Sequence, residues 1–495
     1  MPLAPSLPQT LAEVLAGHAA LRPDAVAVHF EGRDLDYGSL QARSRAAAAL
    51  LWHSWGVRSG DRVAWLGQNH VEQLVLLFAL ARIGALLLPL NFRLAPAEWD
   101  GLVAGCGVQH LVHDSAFAQA GQALARRGRL PAHPVEELAA APDDGPAAPE
   151  AGQAQSPVLL VYTSGTTSRP KAAVHTQANL LANMAAAAQV QAIQPEDTVL
   201  TVLPLFHVGG LCIQTLPALR AGARVLLHPR FDAAATLEAI AAHRPGLTLQ
   251  VPATMKALVE HPLWKTADLS SLRAVWAGSS LLPAAQIQAF HARGVPVCNV
   301  YGATETGPFS IALPPQHALS HAGSCGWPAP GVDVRLEAPQ DGVGELLLRA
   351  PNVVQHYWPD QPACDAEGWF HTGDLARQAA DGSYTVVGRS KDLIISGGEN
   401  IHPAEIEAAL EGHPAIAECA AFGLPDADWG ETVAVAMVLR PGIEASDDAL
   451  RTHLQERLAR YKLPRRWLRL DALPKTALGK VQRQALAGLA QGYLL

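Results

Sequence analysis

A chain of 495 residues is long enough for three or four lobes and can enclose a substantial site. Charged residues make up 17% of it and the formal charge is −8, with no long basic run and no arginine–aromatic interleaving, which argues against a nucleic-acid partner. The six cysteines (Cys106, Cys212, Cys298, Cys325, Cys364, Cys419) are dispersed without a C-x-x-C pair, pointing to neither a disulfide framework nor a zinc site, so a reducing cytoplasm is the simplest compartment.

The N-terminal "MPLAPSLPQTLAEVL" lacks the basic flank and apolar core of a signal peptide. The most apolar stretch, "VEQLVLLFALARIGALLLPL", carries Glu72 and Arg82, so it reads as a buried helix followed by a strand, and no transmembrane segment is expected. Apolar β-rich runs alternate with Ala/Leu helical patterns through the first 390 or so residues: "DRVAWLG" then "VEQLVLLFALARIG", "SPVLLVYTSG" then "QANLLANMAAAAQV", "ARVLLH" then "AATLEAIAAH". The alternation predicts an α/β fold of mainly parallel sheets. Between them, Pro131 to Pro157 is rich in Pro, Ala and acids and reads as a surface connection.

Near residue 389 the texture changes. "SYTVVGRSKDLIISGGENIHPAEIEAALEGHPAI" reads as strand, Gly-rich turn, then a helix with Pro403 in its first turn and Gly412 at its end. Strand-like "ECAAFGL" and "ETVAVAMVL", the helix "DALRTHLQERLARY" and a basic tail follow. The expected organisation is a large multi-lobed domain over residues 1–388 and a small α+β domain over 389–495, with the charged "GRSKD" as a candidate hinge.

Four segments carry chemistry. "YTSGTTSRPK" packs small hydroxyl donors and Lys171 after an apolar run, a pattern able to aim N–H and O–H groups at phosphate oxygens. It is not a Walker A loop, since Pro170 and Ala172 stand where that motif needs glycine and Ser/Thr; taken alone it is equally a solvated Ser/Thr turn. In "NVYGATETG" a carboxylate at a strand end, Glu305, is able to hold Mg²⁺, although an exposed turn residue reads as well. "GWFHTGDLA" puts Asp374 in a Gly-bounded turn, as a ribose acceptor or an Asx-turn. "LPKTALGKVQRQAL" presents Lys480 after a glycine turn, with the start of a basic surface helix as the plain alternative.

Read together and in order, these segments resemble the adenylate-forming superfamily of acyl-CoA synthetases, nonribosomal adenylation domains and firefly luciferase. "YTSGTTSRPK" is similar to its phosphate loop, "LPLFHVGG" to its fourth motif, "YGATET" to its adenine and magnesium motif and "GWFHTGD" to its ribose motif. "GRSKDLIISGGENIHPAEIE" resembles its hinge region and "PKTALGKVQR" its catalytic-lysine motif. The resemblance implies an ATP-dependent carboxylic acid:CoA ligase that uses ATP, Mg²⁺ and coenzyme A on a fatty or aromatic acid. The alternatives are an adenylation enzyme loading a carrier protein and a catalytically silent nucleotide-binding protein.

By the same resemblance Thr163, Ser164, Gly165, Thr166, Thr167 and Lys171 embrace the β- and γ-phosphates, and Glu305 coordinates Mg²⁺. Tyr301, Gly302, Ala303 and Thr304 flank the adenine and α-phosphate, with Gly278 and Ser279 in the adenine wall; Asp374 and Arg389 hold the ribose. Lys480 bridges carboxylate and α-phosphate, Lys391 falls at the hinge, and Gly397 and Gly398 line the thiol's approach. His207, Val208, Gly209, Gly278, Val300, Gly302 and Gly307 are the expected acyl-pocket walls, with His207 either closing the pocket or meeting the carboxylate. Two departures stand out: Ser168 where the family usually has glycine, and "WAGSS" in place of a Gly-Gly-Ala turn.

Overall fold

The computed structural model describes residues 8–163, 170–278, 282–340, 342–396, 399–426, 429–476 and 479–492. The chain divides into two compact units, residues 1–334 with 348–370, and residues 335–347 with 371–495. By packing, the strands on either side of residue 389 therefore group with the C-terminal part.

The first unit is α/β, built on two large sheets among the described residues. One has the strand order Trp327–Pro328, Ile311–Ala312, Val297–Tyr301, Ala274–Gly278, Leu247–Gln250, Thr198–Thr201, Arg224–Leu227, Val26–Phe30, Arg33–Asp36. Its central strands pair in parallel and only the edges turn antiparallel. The other runs Gln361–Pro362, His356–Tyr357, Lys171–Thr176, Pro157–Thr163, Leu86–Pro89, Arg62–Leu66, His110–His113, Ala132–Pro134. Its core is a continuous apolar layer that includes Leu66, Leu88, Leu111, Leu160 and Val174. Strands covered on both faces need such unbroken runs instead of alternation.

The apolar stretch at 71–90 forms the expected helix, Val71–Ile83, and strand, Leu86–Pro89, separated by Gly84 at φ 74°, a left-handed cap that side-chain-bearing residues avoid. Its two charges are buried in ion pairs, Glu72 with Arg43 and Arg82 with Glu150. Glu150 comes from the 131–157 connection, which is more ordered than its composition predicts. It contains the strand Ala132–Pro134 and the helix Val135–Ala139, whose Val135 and Leu138 are buried. Two apolar residues at helical spacing outweigh the surrounding Pro and Ala. Among the described residues no helix is long and apolar enough to cross a membrane.

The second unit has one sheet of Asp333–Gln340, Val343–Arg349, Phe370–Gln378 and Tyr384–Arg389, and another of Glu399–Ile401, Ile394–Ser396, Gly430–Leu439 and Ile416–Asp426, with Arg466–Arg469 beside Gly430–Leu439. Strand Gly430–Leu439 shows why this sheet holds helices on both faces. Val433, Val435 and Met437 enter one core with Ile406, Leu410, Leu450 and Leu454, while Ala434 and Ala436 enter another with Phe422, Leu468 and Leu486. Helix Pro403–Glu411 starts at its proline as expected, whereas the predicted helix 448–461 is the shorter Asp447–Gln455.

Candidate active site

In the first unit, Pro157–Thr163 and Lys171–Thr176 are antiparallel neighbours with Thr163 opposite Lys171, and the Thr163 hydroxyl donates to the Lys171 carbonyl at 3.4 Å. The expected strand, loop and helix is thus a strand, connection and second strand, with helix Gln177–Val190 following under a Thr176 cap. "KAAVHT" hid that strand because its alanines and polar ends give no clear alternation. Ser164, Gly165, Thr166, Thr167 and Ser168 lie outside the described residues, as does Ser279.

Strand Val297–Tyr301 runs parallel to Ala274–Gly278 with Gly278 opposite Val300. A Cβ on Gly278 would sit 2.4 Å from the Val300 carbonyl oxygen, and one on Gly302 1.8 Å from that of Pro308. Backbone approach alone therefore demands glycine at both positions.

Past Tyr301 and Gly302 the chain makes a tight turn, Thr304–Thr306, pinned by the Ala303 N–H donating to the Thr306 hydroxyl at 3.0 Å. Residues 352–357 clasp this turn. Asn352 Nδ2 donates to the Thr306 carbonyl at 2.6 Å, the Val354 N–H to the Glu305 carbonyl at 2.8 Å, and the Tyr357 hydroxyl to Glu305 Oε1 at 2.8 Å. Glu305 is only 9% exposed, so a carboxylate there needs such a donor. Tyr357 is itself fixed by pairing opposite Ala173, next to the strand's first residues, and Lys171 Nζ lies 5.1 Å from its ring centroid.

Lys171 and Glu305, read from separate motifs, thus meet at one side chain that sequence reasoning missed. Burial and the adjacent carboxylate push the Tyr357 phenol up, so it stays a donor at neutral pH. Tyr357 lies 52 residues from Glu305, and no periodicity or spacing links them. On the same strand as Lys171, His175 is fully buried beside Thr304, and burial lowers its pKa to about 4, keeping the ring neutral.

His207 caps a short turn, its Nδ1 accepting the Gly209 N–H at 3.0 Å, with Val208 buried behind it. That is a packing role, compatible with the ring also facing a ligand. Gly307 has φ 92°, and a Cβ there would lie 2.8 Å from Asn183 Oδ1, the acceptor for the Phe309 N–H.

In the second unit Asp374 is a strand residue of Phe370–Gln378, directly opposite Arg389, which corrects the turn expected from its flanking glycine. Its side chain is buried and bonded to Arg389 Nε at 2.7 Å. Both residues assigned to the ribose are therefore one cross-strand pair. A carboxylate fixed by a guanidinium can accept both hydroxyls of a ribose without reorienting. We expect Asp374→Asn to raise the KM for ATP about tenfold while leaving the KM for the acid unchanged; pyrophosphate-exchange kinetics alongside a thermal melt check this.

Lys391 sits in the single turn Ser390–Asp392 between two strands, while Gly397 and Gly398 lie outside the described residues. Lys480 follows Gly479, which has φ 81°, and its carbonyl accepts from the Thr476 N–H at 2.7 Å. Arg483, the first residue of helix Arg483–Gly492, is tied to Glu407 at 2.6 Å and to Asp392 at 3.4 Å.

The "AMP-binding enzyme" family model matches residues 15–358 and the "AMP-binding enzyme C-terminal domain" model matches 405–480. An indoleacetate–CoA ligase of Aromatoleum aromaticum is 42% identical over 493 residues, covering 96% of each chain. A feruloyl-CoA synthase of an Amycolatopsis species is 40% identical over 473 residues, covering 94% of this chain and 95% of its own. The o-succinylbenzoate CoA synthetase of Bacillus subtilis with its acyl-adenylate intermediate aligns at TM-score 0.86 with 31% identity, over 96% of this chain and 97% of that one. The same synthetase with ATP and a magnesium ion aligns at 0.85 with 30% identity, over 96% and 98%.

Proposed function

Because the chain belongs to the family of AMP-binding enzymes, we propose that the acid it activates is aromatic and that the site residues divide the reaction between them. The activity is that of an ATP-dependent carboxylic acid:CoA ligase: acid and ATP give an acyl-adenylate and pyrophosphate, and the thiol of coenzyme A then displaces AMP. The observation that carries the aromatic reading is the 42% identity, along almost the whole chain, with a ligase named for indoleacetate. The expected pocket walls agree with it, being small and apolar apart from His207, with no aspartate to take an α-amino group.

A carboxylate attacking ATP brings an anion to a polyanion, so the site's first task is electrostatic. Glu305, a buried carboxylate with one oxygen bonded to the Tyr357 hydroxyl, would supply a hard oxygen ligand to Mg²⁺. Magnesium, when bound, offsets phosphate charge. Lys171 steadies the departing pyrophosphate, and Asp374 with Arg389 holds the ribose. Lys480 brings an ammonium to the α-phosphate while the acyl–oxygen bond to phosphorus forms and the bond to pyrophosphate breaks. In the second half-reaction the thiol adds to the acyl carbonyl and AMP leaves. The Gly397 and Gly398 region serves the thiol's approach, and a pivot at Lys391 separates the two steps. The compartment is the cytoplasm, in keeping with six free cysteines.

A panel of acids assayed by AMP release with ATP, Mg²⁺ and CoA tests the substrate class. Indoleacetate, ferulate and 2-succinylbenzoate are expected to exceed straight-chain fatty acids of similar size in kcat/KM by tenfold or more, on the order of the discrimination a shaped apolar pocket gives. A preference for decanoate would overturn the aromatic reading. Failure to form a thioester with free CoA would overturn the choice of acceptor.

A further inference from the structure

We propose that Tyr357 is a positioning residue that holds Glu305 in the one orientation suited to Mg²⁺, and that it couples this carboxylate to Lys171. The inference deepens the adenylation reading and rests on it. Its grounds are geometric. The phenol donates to Glu305 Oε1 at 2.8 Å, which reserves the other carboxylate oxygen for a cation. The ring of the same side chain lies 5.1 Å from Lys171 Nζ. Tyr357 cannot drift, because its backbone pairs opposite Ala173 and the Trp358 N–H donates to the Ala172 carbonyl at 2.8 Å. Val354 and Asn352 hold the backbone of the Glu305 turn from the same segment. Four residues of one segment, Asn352, Val354, Tyr357 and Trp358, therefore set the separation between the strand that carries Lys171 and the turn that carries Glu305.

A carboxylate with no donor has two equivalent oxygens and rotates between them. One with a buried phenol on Oε1 is presented in a single pose, so less freedom is lost when a cation arrives. The ring face toward Lys171 steadies the ammonium by cation–π attraction before any phosphate binds.

Two variants separate these parts. Tyr357→Phe keeps the ring and removes only the hydroxyl; Tyr357→Leu removes both. With Mn²⁺ as the probe, water-proton relaxation of the full chain saturated with ATP reads cation affinity directly. Calorimetric AMP binding without metal serves as the control. Tyr357→Phe is expected to weaken Mn²⁺ about tenfold, the loss of one hydrogen bond to a charged group, and to leave AMP affinity unchanged. Tyr357→Leu is expected to add a several-fold rise in the Kd for pyrophosphate. Unchanged Mn²⁺ affinity in Tyr357→Phe, or an equal loss of Mn²⁺ and AMP binding, overturns the proposal. If the wild-type protein catalyses no carboxylate-dependent pyrophosphate exchange, the adenylation reading itself fails; if it does, and the variant matches its cation affinity, only the role of Tyr357 falls.

Discussion

Lys480→Ala is expected to lower acyl-adenylate formation by about 10²–10³-fold, while thioester formation from a synthetic acyl-adenylate proceeds at close to the wild-type rate. The reason is that the proposed role of Lys480, an ammonium bridging carboxylate and α-phosphate, acts while the acyl–phosphate bond forms, a step already complete in a synthetic acyl-adenylate. Nearby cations are poorly placed to substitute. Lys475 is bonded to Glu418 at 2.7 Å, and Arg483 is committed to Glu407 and Asp392. The turn at Gly479 presents Lys480 by backbone geometry, so the alanine variant keeps its local fold. Pyrophosphate exchange and single-turnover thiolysis measure the two half-reactions separately. An equal fall in both would show that Lys480 acts elsewhere.

Glu305→Gln is expected to cost adenylation about 10²-fold and to shift its half-saturating Mg²⁺ concentration upward by at least tenfold. The substitution is conservative in shape. An amide oxygen still accepts from Tyr357, so the clasp on the turn survives and the lost negative charge is isolated as the cause. Titrating Mg²⁺ in the exchange assay, with chelator removal and readdition, gives the answer. An unaltered Mg²⁺ dependence would remove Glu305 from the metal's coordination.

The particular residues show where the sequence was legible. The helix Val71–Ile83 and the strand after it were readable because one long apolar run can satisfy its backbone only as a buried helix and a covered strand. Signature segments such as "YGATETG" and "PKTALGK" were readable because small residues and single charges recur in them at fixed order. The strand Lys171–Thr176 was not, since its alanines and polar ends give no clear alternation and its other sheet neighbour, His356–Tyr357, is distant in sequence. Asp374 looked like a turn residue because Gly373, at φ 67°, bends the chain within the strand. Glu305's fixed pose was hidden for the same reason as Tyr357: a contact across 52 residues leaves no mark on local pattern.

The pairing of Thr163 with Lys171 has one more outcome. Bringing the two ends of a connection together carries an entropic penalty that grows with its length, and here the sheet meets that penalty as the protein folds. If residues 164–169 grip phosphates as proposed, an arriving triphosphate would meet a connection whose ends are already gathered, and recognition energy would not be spent on tethering them. Lengthening the connection by a residue or two should then alter how snugly phosphates are gripped far more than whether the fold survives, whereas a proline that unzips either rim would damage both at once.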